Sequence, residues 1–319
     1  MSEPTPRLLM PSAGRKVGLM RALERYFKVY PCGLPPQESA ACCLAGKGRY
    51  VDLPRADQPV EFGKALLSAI ERIGINVVLP VRNEDMMLLE LLRSKIERLG
   101  AKLILSPSVT IAICLDKIKL AAKLEKHDYS VPPTMSPDQW RDEVNAYPAF
   151  AKARYGSGSR LAQIVRTPEE LGALSFRHED IVVQPVLDGQ EYTADMFFDQ
   201  YGKKIQTVVR KRLSASQGQM DIGEIAPLGE VPPEIERFGT SWLGFVGPIN
   251  VQFFVKDGKY WITDVNPRFS GGIGLTITSG ADFAAYLLEM VTGAPIMFRE
   301  PVVGTRAMSY IEYVYGAKP

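Results

Sequence analysis

The chain has 319 residues, 46% of them hydrophobic and 23% charged, the balance of an ordinary globular protein with two or three subdomains. A formal net charge of +2 gives no electrostatic reason to expect nucleic acid or an anionic membrane as partner, and no apolar run approaches the ~20 residues that span a bilayer. Met1 to Arg7 lacks the apolar core of a secretory leader, the four cysteines match no zinc or redox pattern, and two histidines are too few to carry imidazole catalysis. Carboxylates, lysines and arginines are left to do the chemistry, in an expected cytoplasmic setting.

Leu8 to Pro11 predicts a buried strand, Ser12 to Lys16 a tight loop, and Val17 to Tyr30 a helix with Val17, Leu19, Met20, Leu23, Tyr26 and Phe27 at helical spacing. A short apolar run follows at Arg49 to Leu53, then a helix over Val60 to Ile73 and a buried strand over Val77 to Val81. Next come a helix over Glu84 to Leu99, closed by Gly100, and a strand over Lys102 to Ser106. Strands alternating with helices demand right-handed crossovers and a parallel sheet, hence a Rossmann-like first domain. Ser12-Ala-Gly14 lacks the three spaced glycines of a dinucleotide fingerprint, which argues against NAD.

Beyond Pro107, Val109 to Leu124 reads as one helix carrying Asp116-Lys117. Strands at Pro148 to Ala153, Ala162 to Val165 and Asp180 to Val186, a glycine-rich turn at Arg154 to Arg160 and a helix at Pro168 to Ser175 describe a small α+β lobe. Glu191 to Phe198 and Lys204 to Lys211 alternate as antiparallel strands, Ser214 to Glu224 reads as a polar loop, Glu234 to Leu243 as a helix and Asp282 to Thr292 as an amphipathic helix.

The hairpin from Asn250 to Arg268 concentrates chemistry. Asp264 and Asn266 share a strand face and suit a hard cation that also takes phosphate oxygens, while Arg268 suits an oxyanion. A two-residue turn at Asp257-Gly258 would turn Gln252 away from Asp264, so a three-residue turn, Lys256-Asp257-Gly258, is expected, pairing Val255 with Lys259 and gathering Asn250, Gln252, Asp264 and Asn266. A solvated polar hairpin face is the plain alternative. Likewise Gly156-Ser-Gly158 can be only a turn, and Glu84-Asp85 can merely charge a helix N-terminus.

Taken in order, Leu115-Asp-Lys117, Phe150-Ala-Lys152, the Tyr155 to Arg160 turn, Val182 to Leu187, Gly189-Gln-Glu191 and Gln252 with Asp264-x-Asn266-Pro-x-Arg268 resemble the ATP-grasp superfamily, on its carbamoyl-phosphate synthase and biotin carboxylase branch. The likeness runs from about Leu8 to about Pro295. It implies an α/β and α+β fold: a Rossmann-like pre-ATP-grasp domain (1–112), a small lid lobe (113–187) and a C-terminal lobe with a Mg-phosphate site (188–319). It implies ATP and Mg²⁺ (two ions, with Mn²⁺ able to substitute), with Gln252, Asp264 and Asn266 as metal ligands. Asp264 departs from the family's usual glutamate, which puts one bidentate bridge in doubt. Lys117 and Lys152 would hold phosphates, Tyr155, Gly156, Ser157, Gly158 and Ser159 would form the flap, and Gln184, Pro185, Val186 and Leu187 the adenine hinge. Glu191 would bind ribose, and Arg268 the transferring group, with Lys211 and Arg212, or Arg210, as a further cationic element.

The implied reaction is attack of a carboxylate on the γ-phosphate, then capture of the acyl phosphate by an amine. One ATP-grasp unit, without a second unit or a biotin-carboxylase-type extension, favours ligation over phosphorylation of bicarbonate or carbamate. A non-catalytic ATP-binding regulator is the reading from another class. Substrate groups are expected beyond the strand ends of the first domain, at Arg15, Lys16, Arg82, Glu84 and Asp85, and at the Ser270 bend. The partners are then small molecules, with a homodimer as the expected assembly.

Overall fold

The computed structural model describes residues 4–34, 39–46, 48–156, 161–178, 180–216, 219–240 and 243–315. Strands β1 (Arg7–Met10), β2 (Lys28–Gly33), β3 (Val51–Asp52), β4 (Val77–Val78) and β5 (Lys102–Leu103) form a parallel sheet in the order β3-β2-β1-β4-β5. Leu8, Leu9 and Met10 are fully buried, as a parallel strand covered on both faces requires. The helix expected to reach Tyr30 stops at Leu23. Pro31 disfavours helical backbone at Tyr30, and Lys28–Gly33 instead becomes β2, which the sequence reading missed.

Two further helices are broken. The one expected over Glu84 to Leu99 divides into Asn83–Leu91 and Arg93–Arg98. The one expected over Val109 to Leu124 divides at Asp116, which is extended (φ −108°, ψ 108°) and caps Lys117–Glu125 by accepting from the Ile118 and Lys119 amides.

Strands β6 (Ala149–Ala153), β7 (Gln163–Val165) and β8 (Ile181–Pro185) form a small antiparallel sheet in the order β7-β6-β8. It has its own core of Trp140, Ala149, Ala151, Val165, Leu171, Ile181 and Val183. The third sheet holds β9 (Gln190–Phe198), β10 (Lys204–Ser216), β11 (Gln219–Ala226), β12 (Gly247–Lys256), β13 (Lys259–Asn266) and β14 (Arg306–Met308), in the order β13-β12-β9-β10-β11-β14. The stretch read as a polar loop from Ser214 to Glu224 is therefore largely strand: β10 and β11 pair with each other through it, and β14 adds Arg306–Met308 along Ile222–Glu224. The helix expected over Glu234 to Leu243 is confined to Pro233–Arg237.

One face of the large sheet packs on Cys114, Leu120 and Leu124, so the helix that carries Lys117 belongs with this sheet rather than with the small lobe. The other face shares a continuous core with the first sheet, joining Leu8, Met10 and Val77 to Phe197, Phe283 and Tyr286. No helix among the described residues is long and apolar enough to cross a membrane.

Inside the large sheet, Arg210 donates to both Asp195 oxygens (Nε to Oδ2, 2.7 Å; Nη2 to Oδ1, 3.2 Å), and the two side chains are only 2% and 1% exposed. Removing one partner strands a buried charge, which costs about 3–5 kcal/mol. Arg210→Met should lower the unfolding free energy by that order in urea titrations, and adding Asp195→Leu should recover part of the loss.

Candidate functional site

The β12–β13 turn is a two-residue turn, with Asp257 and Gly258 both at positive φ (50° and 73°) and Lys256 paired to Lys259. The three-residue turn expected from the sequence is not formed. From Val255–Tyr260 to Phe253–Ile262 the pairing follows that turn, and left alone it would send Gln252 and Asp264 to opposite faces. A bulge at Thr263 inserts one extra residue in β13 and reverses the parity, so that Gln252 faces Asp264 and Asn250 faces Asn266 after all.

The bulge also exposes a carbonyl. Lys152 Nζ, reaching from β6 of the small lobe, donates to Thr263 O at 3.0 Å. Burial lowers the Lys152 ammonium to about 8, and Lys117 adds to the effect, while Asp264 and Glu191 oppose it. Lys117, 6% exposed, donates to Gly156 O (3.1 Å) and Arg154 O (3.4 Å), tying its helix to the start of the glycine-rich turn. Arg154 is held in turn by a two-pronged bond to Asp116 (2.9 and 2.7 Å) and lies 5.1 Å from the Tyr155 ring centroid. Ser157, Gly158 and Ser159 lie outside the described residues.

Glu191 on β9 accepts from Arg212 Nη1 at 2.5 Å. Burial raises its carboxyl above the usual range, against the pull of Arg212 and Lys152. Lys211 does not join this group. Adjacent residues of β10 face opposite ways, and Lys211 instead pairs with Glu230 (2.7 Å) beside the Tyr192 ring. In the hinge, Gln184 is buried and donates to Thr134 Oγ1 (2.8 Å), Pro185 ends β8 beside Ala149, Val186 is exposed and Leu187 half-buried.

The opposite wall comes from the first domain. Asn83 Nδ2 donates to Asn266 Oδ1 (2.8 Å), and Arg268 Nε donates to Asn83 Oδ1 (2.7 Å). Sequence reasoning passed over Asn83, although its place at the first helical position just beyond β4 was a usable signal. Arg82 pairs with Glu84 at 3.4 Å, and Glu84 Oε1 lies 3.8 Å from where a side chain on Gly156 would begin. Burial, then Arg268 and Arg82, bring Lys16 down to about 8, with Glu84 opposing.

Three expected substrate groups sit differently. Arg15 is exposed. Asp85 is 1% exposed, with its carboxyl raised by burial against a hydrogen bond from Ser12, so it faces the interior rather than a bound ammonium. Ser270 is buried and accepts from Arg210 Nη2 at 2.9 Å, so it braces the bend instead of lining an open pocket.

Among the described residues no group of three His, Cys, Asp or Glu side chains could hold a metal by itself. A cation here would rest on one carboxylate, Asp264, with amide oxygens and oxygens brought by a ligand. That donor set fits Mg²⁺, which binds through one or two carboxylates plus phosphates.

Residues 177–313 match the family model described as ATP-grasp in the biosynthetic pathway with Ter operon. The arginine-specific carbamoyl phosphate synthase large chain of Geobacillus stearothermophilus is 25% identical over 182 residues, covering 53% of this chain and 17% of that protein. The C-terminal section of the Methanocaldococcus jannaschii carbamoyl phosphate synthase large chain is 29% identical over 140 residues, 39% of this chain and 22% of that one. The chain thus spans about a fifth of the length of these curated relatives. Among solved structures, the biotin carboxylase domain dimer of Hydrogenobacter thermophilus 2-oxoglutarate carboxylase, in complex with MgADP, ADP and bicarbonate, aligns with a TM-score of 0.71 at 14% identity, over 94% of this chain and 72% of that one. The L-amino acid ligase of Bacillus licheniformis aligns with a TM-score of 0.69 at 16% identity, over 91% and 75%. Residues 177–313 thus match an ATP-grasp family model, and the fold as a whole is similar to that of biotin carboxylase and amino acid ligase structures.

Lys152 has a measurable signature. Its folded-state value of about 8 lies below the free value of 10.5, so its charge costs stability fully below pH 8, and the cost fades as pH rises from 8 to 10.5. Lys152→Met should therefore be the more stable protein at pH 7, by up to about 3 kcal/mol, with the gap closing above pH 10 in urea unfolding curves.

Proposed function

We propose that the chain is an ATP-dependent ligase that activates a carboxylate as an acyl phosphate and couples it to an amine. The observation that carries this reading is the convergence of Lys117, Lys152, Glu191, Arg212, Gln252, Asp264, Asn266 and Arg268 on one region where three sheets meet. In this reading residues 1–112 present the acid, 113–187 form the lid and 188–319 the metal-phosphate wall, with the Lys117 helix riding on that wall.

ATP would lie between the small and large sheets. The Pro185 to Leu187 hinge offers main-chain groups to adenine, Glu191 offers its carboxylate to ribose, and Lys117 and Lys152 take phosphate oxygens. Gln252, Asp264 and Asn266 would hold Mg²⁺, which supplies charge neutralisation of the phosphates when bound. A carboxylate oxygen attacks the γ-phosphorus and forms a new P–O bond, and the β–γ bridge breaks to release ADP. Arg268 stabilises charge on the transferred group. An amine then attacks the acyl carbon, inorganic phosphate departs and the amine loses a proton. The buried, histidine-free surroundings restrict water, which would otherwise hydrolyse the acyl phosphate. The number of metal ions, use of Mn²⁺, a homodimeric assembly and a cytoplasmic setting complete the proposal.

A second reading, phosphorylation of bicarbonate or carbamate, is favoured by the carbamoyl phosphate synthase relatives. ADP release should be measured across a panel of carboxylic acids, with and without amines, using hydroxylamine as the trap. Hydroxamate from one acid supports ligation, bicarbonate-only turnover supports the second reading, and ATP binding without turnover sinks both. Asp264→Asn should retain the wild-type melting temperature and lose at least about a hundredfold in kcat, since it removes the one carboxylate from the metal set; near-normal turnover would remove the metal role.

A further inference from the structure

Three amides in series link the first domain to the wall of the site, and their polarity is set at one end. Arg268 can only donate, so the Asn83 oxygen must face its Nε (2.7 Å). Asn83 Nδ2 is thereby left to donate to Asn266 Oδ1 (2.8 Å). Asn266 Nδ2 then donates to Asn250 Oδ1 (3.3 Å), and Asn250 Nδ2 finishes on the main-chain oxygens of Arg268 (3.0 Å) and Asn266 (3.4 Å). Arg268 Nη2 also approaches Asn266 Oδ1 at 3.4 Å. Asn83, Asn250 and Asn266 are each at most 3% exposed, so water cannot substitute for a missing partner.

We infer that Asn83 is a positioning residue: by donating to Asn266 Oδ1 it keeps the oxygen, not the NH₂, of that amide on the site side, and by accepting from Arg268 it fixes the guanidinium beside it. The inference rests on the metal role proposed for Asn266. It places control of the phosphate wall in the first domain, on the residue that opens helix Asn83–Leu91.

Asn83→Asp separates this role from folding. A carboxylate still accepts from Arg268 and is favourable in a first helical turn, so the fold is retained. It has no NH₂ to offer, so Asn266 turns its own NH₂ toward the new oxygen and withdraws its carbonyl. The experiment is calorimetric titration of ADP at a series of Mg²⁺ concentrations, with no turnover involved. The expected result is a rise of tenfold or more in half-saturating Mg²⁺, the scale of losing a partner that orients a metal ligand. ADP affinity without Mg²⁺ and the melting temperature should stay at wild-type values. Asn83→Ser, which keeps one donor and one acceptor, should fall between the two proteins. Unchanged Mg²⁺ dependence in Asn83→Asp overturns the inference alone, as does an equal loss of Mg²⁺-free binding. Nucleotide binding in the wild type that ignores Mg²⁺ overturns the underlying metal reading as well.

Discussion

The site depends on the parity of one β ladder. Side chains of β13 alternate faces, and the tight turn at Asp257-Gly258 sets that alternation so that Asp264 would point away from Gln252. One extra residue, Thr263, restores the facing, and the same irregularity frees the carbonyl that receives Lys152. A single bulge thus supplies both the acidic face and the anchor for the neighbouring lobe. Regular pairing through Thr263 would bury Asp264 or expose Val265.

Around that ladder, three bodies contribute different chemistry. The small lobe brings Lys152 and Gly156, the large sheet brings Glu191, Arg212, Asp264 and Asn266, and the first domain brings Asn83, Arg82 and Glu84. The depressed values of Lys152 and Lys16 follow first from burial, with neighbouring cations (Lys117 for Lys152, Arg268 and Arg82 for Lys16) adding to it and nearby carboxylates opposing it. Burying these ammonium groups costs stability.

Much of this was legible in sequence, and the failures have physical causes. The facing of Gln252 and Asp264 and of Asn250 and Asn266 could be read because short-range alternation carries it, although the route was a bulge rather than a long turn. Lys211 and Arg212 are adjacent and both cationic, so composition cannot choose between them; the pairing of Lys211 with Tyr192 does. Strand β11 looks like a loop because its polar, glycine-bearing stretch shows no clear alternation, yet it forms a hairpin with β10 and takes β14 on its other edge. The helix break at Asp116 was hidden by an unbroken apolar pattern and appears only when its carboxylate caps the next helix. Asn83 was unreadable as a partner of Asn266, since no local pattern connects residues so distant in the chain.

The bond from Lys152 to Thr263 O has a consequence for how a ligand enters. The ammonium is already engaged, so in the proposed reading an incoming phosphate would not fill a vacant grip but would compete for one. That exchange would remove one of several ties to the small lobe, leaving the Lys117 bonds to Arg154 O and Gly156 O and the Asp116–Arg154 pair in place. The ligand would then take the place of one contact between the lobe and the sheet rather than enter beside it.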